Sequence, residues 1–243
     1  MDRLLDQVPR FFSWSNTLYL IEAMGITLAM TAIGVGVGFL VAFVIVYLRQ
    51  MPGWWALPVR VAAIAYVEIF RRIPFLVTIY LVLFFIQALV SNASLFAIAV
   101  VSISIYAVAY TAEIIRGGIE SVPRQQVEAA RAMNLSRWQT MLWVVLPQAW
   151  PVIFPPALAF AVAFIKDTAL VSQIGVFELT FRGKELNNQG YSGVLVFGTV
   201  ALLYFVMSYP LSLLGQRLER RAERPRRRAP GPVPAPAQAL PGI

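Results

Sequence analysis

Five long runs of apolar residues constrain the fold of this chain more than any other feature of its sequence. They cover residues 18–48, 61–90, 95–115, 152–171 and 192–214. A helix needs about 20 mainly apolar residues to cross the hydrocarbon core of a bilayer, and each run reaches that length. Hydrophobic residues make up 59% of the chain and charged residues 13%, a balance outside the range of soluble globular domains. The sequence therefore predicts an all-α integral membrane protein with about five transmembrane helices.

The residue types that the chain lacks exclude most kinds of catalytic site. It contains no histidine and no cysteine. This removes Ser-His-Asp and Cys-His nucleophiles, the usual zinc sites, haem ligation by histidine and disulfide bonds. The two lysines, Lys166 and Lys184, do not follow the glycine pattern of a phosphate-binding loop. We therefore expect no catalytic residue, no metal and no cofactor in this chain, so that any ATP hydrolysis belongs to a partner.

The distribution of lysine and arginine predicts how the spans are oriented. If the N-terminus is outside, thirteen basic residues fall in the segments that face the cytoplasm, which are 49–60, 116–150 and 217–243. Only four fall in the outer segments, which are 1–16, 91–94 and 174–191. This excess follows the positive-inside rule, in which cytoplasmic loops carry more lysine and arginine. We therefore expect an outer N-terminus and a cytoplasmic C-terminus.

The two ends of the chain differ from its middle. Residues 1–16 combine charges with Phe and Trp and lack the features of a cleaved signal peptide, so we expect an N-terminal interfacial segment. Residues 17–216 contain all five apolar runs and form the predicted transmembrane domain. Residues 217–243 contain seven arginines and several prolines, which predicts a disordered, basic cytoplasmic tail. Anionic lipid attracts such a tail, and we expect no nucleic-acid partner.

Ionisable side chains interrupt two of the apolar runs. In the second run, Glu68 precedes Arg71 by three residues and Arg72 by four, so either arginine can pair with it on one helix face. In the fourth run, Lys166 and Asp167 are adjacent. Charged groups at membrane depth are costly unless they pair or face water. These groups therefore either reach the interface at a helix end or line a polar path.

Two shorter patterns concern the packing of the spans. Gly34 and Gly38 form a small-xxx-small pattern, which is typical of closely packed membrane helices. Glu113 and Arg116 are three residues apart near the end of the third run. We expect these two side chains to form a structural ion pair.

The segment 121–147 is the one long polar, helix-capable stretch between the apolar runs. In its first half, apolar residues recur at helical spacing at Val127, Ala130 and Met133. Asn134 stands where a helix end favours a left-handed residue, and Ser136 with Gln139 forms a capping-box sequence for a second helix that Pro147 should interrupt. We therefore predict a helix-turn-helix hairpin. Spacing alone fits an element that docks on a partner as well as one that packs on its own chain.

The hairpin sequence EAARAMNLSRWQTMLWVVLP, residues 128–147, resembles the cytoplasmic coupling loop of importer permeases in the ATP-binding-cassette superfamily. The family usually has glycine where this chain has Asn134. Four further segments resemble the branch that takes up polar amino acids such as His, Arg, Gln and Glu, and opines. They are VEIFRRIPFL at 67–76, YTAEIIRGGIESVPRQQVEAA at 110–130, LPQAWPVIFPP at 146–156 and IKDTALVSQIG at 165–175. The similarity covers about residues 17–216.

This resemblance implies the type I importer permease fold in a bacterial plasma (inner) membrane. It also implies a second permease subunit, identical or different, and an extracytoplasmic solute-binding protein. Cytoplasmic ATPase subunits would hold ATP and Mg and receive the coupling loop. The residues that the resemblance assigns to this ATPase coupling are Glu128, Ala129, Ala130 and Asn134, with Trp138 and Leu142 packing behind the turn.

The resemblance also assigns intramembrane polar residues to a substrate path, namely Glu68, Arg71, Lys166, Asp167 and Thr168. A zwitterionic amino acid needs an anionic partner for its ammonium group and a donor for its carboxylate. Glu68 and Asp167 would serve the ammonium group, and Arg71 and Thr168 would hold the carboxylate or each other. Lys166 and Asp167 can instead form a structural pair.

The chain departs from the family's EIFRGTP and KDTSL segments at three positions, which are Arg72, Ile73 and Ala169. The extra guanidinium of Arg72 either favours an acidic substrate or faces lipid headgroups.

Other functions remain open from the sequence. An importer branch for methionine or an inorganic anion would keep the coupling loop and change the span motifs. An ion-coupled secondary transporter would also place charges within its spans, but it needs no cytoplasmic hairpin and commonly shows an internal repeat. A membrane scaffold would use the same charges as assembly contacts. Substrate-dependent ATP turnover separates the importer permease from the scaffold.

Overall fold

The computed structural model describes residues 2–227, and within them the side chains of residues 6–218. All regular secondary structure in the described residues is helical, which confirms the all-α prediction. The helices are α1 Asp2–Phe11, α2 Trp14–Arg49, α3 Leu57–Phe70, α4 Phe75–Leu89, α5 Leu95–Glu120, α6 Arg124–Ala132, α7 Arg137–Gln139, α8 Leu146–Asp167, α9 Leu179–Asn188 and α10 Gly193–Arg227. A π-helical turn, Thr140–Val145, joins α7 to α8, and a 3₁₀ segment, Thr168–Ile174, follows α8.

Four helical stretches are long and apolar enough to cross a membrane. They are Trp14–Arg49, Leu95–Glu120, Arg137–Ile174 and Gly193–Leu218. The second apolar run differs from a straight span, because α3 and α4 meet at a bend of 117°. Pro74 lacks a backbone N–H and disfavours helical backbone at Ile73, which explains why the helix breaks there. The count of about five spans holds if this bent pair is taken as one crossing.

The contact between α2 and α5 is the most extensive in the structure. It depends on the absence of side chains at two glycines. A Cβ atom at Gly34 would lie 2.5 Å from Cγ2 of Ile103, and one at Gly38 would lie 2.5 Å from Cβ of Ala107. The close packing predicted from the small-xxx-small pattern is therefore confirmed, and the partner is a helix of the same chain.

We expect Gly38→Ala to lower the free energy of unfolding by about 1–3 kcal/mol, the usual cost of overpacking a well-filled interface. Thermal unfolding of the purified chain in detergent measures this loss. Gly36→Ala is the matched control, because no atom lies within 4 Å of a Cβ placed there and alanine favours the helix. Equal destabilisation by both substitutions would contradict the packing explanation.

The N-terminal helix α1 is anchored to the segment before α10. The Phe11 ring is buried and packs edge-on against Tyr191 at 5.4 Å between centroids. The Gln7 side chain accepts a hydrogen bond from the Ser192 N–H at 2.8 Å. Phe12 and Trp14 are exposed, as suits rings at a membrane interface. The interfacial position of residues 1–16 stays a prediction.

The C-terminal prediction needs a correction. Helix α10 continues to Arg227, so residues 217–227 are helical where we predicted a disordered tail. Arginine, glutamate, leucine and alanine, which dominate this stretch, are good helix formers, and their propensity explains the extension. The rest of the predicted tail, residues 228–243, lies outside the described residues.

Candidate functional site

The turn of the hairpin has the geometry expected from Asn134. This residue adopts φ 59°, the left-handed conformation. Its N–H donates to the Arg131 carbonyl at 2.9 Å, and the Leu135 N–H donates to the Ala130 carbonyl at 3.1 Å. These two bonds form a Schellman motif, which satisfies the last carbonyls of α6. The predicted end of the first helix is therefore confirmed, with asparagine serving in place of glycine.

The second half of the hairpin begins as predicted and then departs from the prediction. The Gln139 N–H donates to Ser136 Oγ at 3.2 Å, and the Ser136 N–H donates to Gln139 Oε1 at 2.8 Å, which completes the capping box. Pro147 does not interrupt the helix, contrary to our prediction. It lies in the first turn of α8, directly after the π-helical turn. In that wider turn the Leu146 N–H donates to the Met141 carbonyl. The helix can therefore continue through Pro147, which has no N–H to donate.

Helix α6 turns one face inward and one outward. Ala130 is buried and Val127 half-buried, whereas Glu128 and Ala129 are exposed. Met133 is exposed as well, although its spacing predicted the inner face, because the helix ends at Ala132 and the chain turns there. Among the described side chains, Glu128 takes part in none of the ion pairs. The hairpin thus presents a hydrogen-bonded turn and an exposed carboxylate that pairs with no side chain of residues 6–218.

Trp138 and Leu142 lie beside the turn and remain half-exposed. The Trp138 ring stacks on Tyr47 near the end of α2, with 5.1 Å between centroids and 21° between planes. Trp138 therefore braces the hairpin against α2, and both predicted coupling residues keep part of their side chains accessible.

The predicted path residues of the second run separate into two contacts. Glu68 pairs with Arg72 at 2.6 Å, so the i+4 alternative is the one observed. Arg71 instead lies 3.8 Å from a carboxylate oxygen of Glu113, with its guanidinium 5.8 Å from the centre of the Tyr110 ring. Glu68 and Arg71 therefore do not pair with each other. Arg71 keeps donors that no described side chain fills.

Glu113 holds three arginines from different helices. Arg116 Nε donates to Glu113 Oε1 at 2.8 Å, which confirms the predicted pair. Arg49, at the end of α2, donates to Oε2 at 3.1 Å, and Arg71 is the third neighbour. Sequence reasoning missed Arg49 because it is 64 positions away from Glu113. The carboxylate ties α2, α3 and α5 together at the end nearest the hairpin.

The path residues of the fourth run lie at the opposite end of α8. Lys166 and Asp167 are exposed, and the ion pairs among side chains 6–218 include neither of them. The alternative of a Lys166–Asp167 structural pair is therefore not observed. Thr168 is fully buried, and its hydroxyl donates to the Ile165 carbonyl at 2.6 Å. The structure thus places Thr168 behind the exposed surface that carries Lys166 and Asp167.

A face of aromatic rings connects Arg71 with Asp167. Tyr110 stacks on Phe160 at 5.5 Å and on Tyr106 at 4.8 Å, and Tyr106 contacts Phe164 at 5.7 Å between centroids. Phe164 precedes Asp167 by three residues on α8, so this face ends about one helical turn from Asp167. Sequence reasoning missed this face. Its signal was the four-residue spacing of the tyrosines on α5 and of the phenylalanines on α8.

A buried carboxylate lies in the segment between the last two spans. Glu178 is fully buried and caps α9, accepting from the Phe181 N–H at 2.8 Å and the Thr180 N–H at 2.9 Å. The Tyr204 hydroxyl of α10 donates to it at 2.7 Å. Burial raises the pKa of the Glu178 carboxyl above its usual value, and these hydrogen bonds oppose the rise only in part.

This pKa gives the stability of the chain a pH dependence. Because the folded-state pKa of Glu178 is raised, the folded chain binds its proton more tightly than the unfolded chain does. The stabilisation that Glu178 contributes is therefore fully present below its pKa in the unfolded chain. It is lost as the pH rises through its pKa in the folded chain. Compared with Glu178→Gln, the unsubstituted chain should gain stability as the pH is lowered from neutral toward the ordinary glutamate pKa of about 4.3. Thermal unfolding of both chains across this range checks the sign; an unchanged difference between them would contradict it.

Residues 34–224 match the model of the family described as "binding-protein-dependent transport system inner membrane component". The chain belongs to this family. It is therefore an inner-membrane permease component of such a transport system and not an enzyme.

Individual relatives agree with the family. The glutamine transport system permease protein GlnP of Escherichia coli (strain K12) is 33% identical over 86% of this chain and 94% of the relative. The octopine transport system permease protein OccM of Rhizobium radiobacter is 30% identical over 86% and 87%. The crystal structure of an amino acid ABC transporter with histidines has a TM-score of 0.79 at 30% identity, covering 90% of this chain and 98% of that one. The resemblance to importer permeases and the type I importer fold are thus confirmed.

Proposed function

We propose that this chain is the permease of an ATP-driven importer of polar amino acids, and that the hairpin 121–147 couples it to cytoplasmic ATPase subunits. The observation that carries the proposal is the hairpin turn, which is fixed on both sides by the Schellman motif and the capping box and leaves Glu128 exposed. Hydrogen bonds on both sides of the turn would resist its deformation when a partner subunit moves against it. The relatives support the substrate class, because their names specify glutamine and octopine.

The proposed assembly contains two permease subunits, cytoplasmic ATPases and an extracytoplasmic solute-binding protein. ATP and Mg are held by the ATPases. The binding protein delivers the amino acid to the outer side, and closure of the ATPases moves the hairpin so that the spans open inward. The chain itself carries the substrate, and the ATPases perform the hydrolysis.

For the substrate, the structure offers two charged groups separated by an aromatic face. Arg71 has unfilled donors for a carboxylate, and Asp167 is an exposed carboxylate without an ion pair among the described side chains. We infer that the amino acid passes along the face of Tyr106, Tyr110 and Phe160 between them, its carboxylate toward Arg71 and its ammonium group toward Asp167. Lys166 lies next to Asp167 in the chain, and Glu68 forms an ion pair with Arg72. The buried Thr168 contributes a hydrogen bond from its hydroxyl to the Ile165 carbonyl.

The first test of this function measures ATPase activity of the chain reconstituted with its ATPase and binding protein, scanned across the twenty amino acids. Stimulation by a few polar amino acids is the expected result. Stimulation by methionine alone would assign the chain to another importer branch. Flat activity across the panel, with the complex intact, would overturn the amino-acid assignment.

The substrate path is tested by Asp167→Asn. We expect about tenfold weaker uptake, because a hydrogen bond to a charged group contributes about 1.5–3 kcal/mol. Measuring uptake against substrate concentration in proteoliposomes gives this loss. Glu68→Gln should have a smaller effect, since Glu68 already pairs with Arg72 in the structure. Normal uptake and normal substrate-stimulated ATPase activity in both variants would refute the path.

A further inference from the structure

A polar cavity of about 380 Å³ lies inside the hairpin, where α6, the π-helical turn and the ends of α2 and α5 meet. Its wall carries Arg131 and Arg137, one from each side of the turn, together with Gln50 and Thr140. The remaining wall is apolar. The ion pairs among side chains 6–218 include neither Arg131 nor Arg137. Both arginines are exposed, and neither has a carboxylate partner among the described side chains.

Thr140 gives a second, independent indication that the cavity holds a ligand. The residue is only 6% exposed. Its hydroxyl has no hydrogen-bond partner within the described part of the chain. Buried hydroxyl groups in proteins are ordinarily hydrogen-bonded. An unpartnered hydroxyl on the wall of a cavity that also carries two arginines points to an oxygen-bearing anion.

An apolar cavity of about 360 Å³ adjoins the polar one. The two share Gln50, Ile119 and Met141 as wall residues. The stacked rings of Tyr47 and Trp138 line the apolar side, and such rings are typical of the membrane interface. A ligand that fills both spaces must have an anionic head and an apolar tail.

We propose that this pair of cavities binds an anionic phospholipid. Its phosphate lies between Arg131 and Arg137, with the Thr140 hydroxyl and the Gln50 amide as further donors, and an acyl chain occupies the apolar cavity. Arginine suits this role because its planar guanidinium matches the oxygens of a phosphate. A zwitterionic lipid is disfavoured, since its cationic group would enter a site that already holds two positive charges.

The bound lipid would connect both helices of the hairpin with the ends of α2 and α5. The hairpin would then be held by an ordered lipid at the leaflet where anionic lipid attracts basic residues. This inference depends on the cavity geometry and not on the identity of the transported substrate. Its test therefore succeeds or fails independently of the proposed amino-acid transport.

The test titrates the purified full-length chain in detergent with short-chain phosphatidylglycerol and follows the thermal unfolding midpoint. We expect a saturable rise, because a ligand that binds the folded state stabilises it. The double variant Arg131→Gln/Arg137→Gln should need about tenfold or more lipid for half of the rise, the scale of losing charge-assisted hydrogen bonds. Thr140→Val, which replaces the hydroxyl with a methyl group of similar size, should also weaken the effect. If the double variant does not fold, the single variants and Thr140→Val decide.

Arg124→Gln is the matched control. Arg124 is exposed on the same helix and does not line the polar cavity, so its loss should leave the lipid response unchanged. If Arg124→Gln weakens the lipid response as much as the double variant does, the response reflects general charge attraction. That result would overturn the proposed site. An equal rise with phosphatidylcholine would overturn the choice of an anionic lipid, and the same rise with inorganic phosphate alone would show a free-phosphate site. Loss of the response when the partner ATPase is added would assign the two arginines to that protein interface and also overturn the proposal.

Discussion

Glu128→Ala is expected to lower the substrate-stimulated ATPase activity of the reconstituted importer about thirtyfold, the effect of removing a central contact of a protein interface worth about 2 kcal/mol. The stability of the chain should stay the same. Glu128 is exposed and takes part in no ion pair among the described side chains, so the fold does not depend on its carboxylate. ATPase assays and thermal unfolding of the same preparation separate these two effects.

The control for this experiment is Gln126→Ala. Gln126 is exposed on the same helix, two positions earlier and therefore on another side of it. Its substitution should leave the stimulated activity nearly unchanged. A similar loss in both variants, or a lower unfolding midpoint for Glu128→Ala, would show that the hairpin is merely disturbed and that Glu128 makes no specific contact.

Glu113→Gln should cost about 3 kcal/mol of the free energy of unfolding, since removing one partner of a largely buried ionic cluster leaves charges uncompensated. The Glu113 side chain is 22% exposed and that of Arg49 15%. Glutamine keeps the size of the side chain and one acceptor, but it removes the charge that offsets Arg49, Arg71 and Arg116. Equilibrium unfolding in detergent measures the loss.

Glu120→Gln serves as the comparison for Glu113. Within side chains 6–218, Glu120 pairs with Arg116 alone and is 59% exposed, so its replacement should cost less than about 1 kcal/mol, as for surface ion pairs. If the two variants lose equal stability, Glu113 is not the centre of the cluster. A loss at Glu113 that vanishes in high salt would likewise contradict its burial, because buried pairs are screened less.

The parts of this structure that follow local rules could be predicted from the sequence. A span depends on the hydropathy of about 20 consecutive residues, and a helix cap depends on residues three or four apart, so the spans, the turn at Asn134 and the capping box at Ser136 were all predictable. The pairing of Glu113 with Arg116 belongs to the same class. The position of Pro147 was misjudged, because proline is costly in the interior of an α-helix but tolerated in its first turn, and the π-helical turn places Pro147 in the first turn of α8.

Contacts between distant parts of the chain could not be predicted in this way. Arg49 joins Glu113 only because α2 and α5 pack closely at Gly34 and Gly38. The aromatic face between Arg71 and Asp167 needs α5 and α8 to be neighbours at a particular rotation. The sequence of one helix does not specify which residues of another helix will lie against it. It therefore indicated which groups were charged, but not which of them would be in contact.

The helical stretch Arg137–Ile174 joins the hairpin to Asp167 as one rod, and the distance from Arg137 to Asp167 along it is about 45 Å. The π-helical turn, Pro147 and Pro151 lie in the half of this distance nearer the hairpin, and Pro155 and Pro156 lie just past its midpoint. From residue 157 to Asp167 the helix contains no proline. A helix bends where α-helical hydrogen bonds are missing. Under the proposed coupling, a push on the hairpin would therefore bend the proline-containing part of the helix first, and the part from residue 157 to Asp167 would move as one piece.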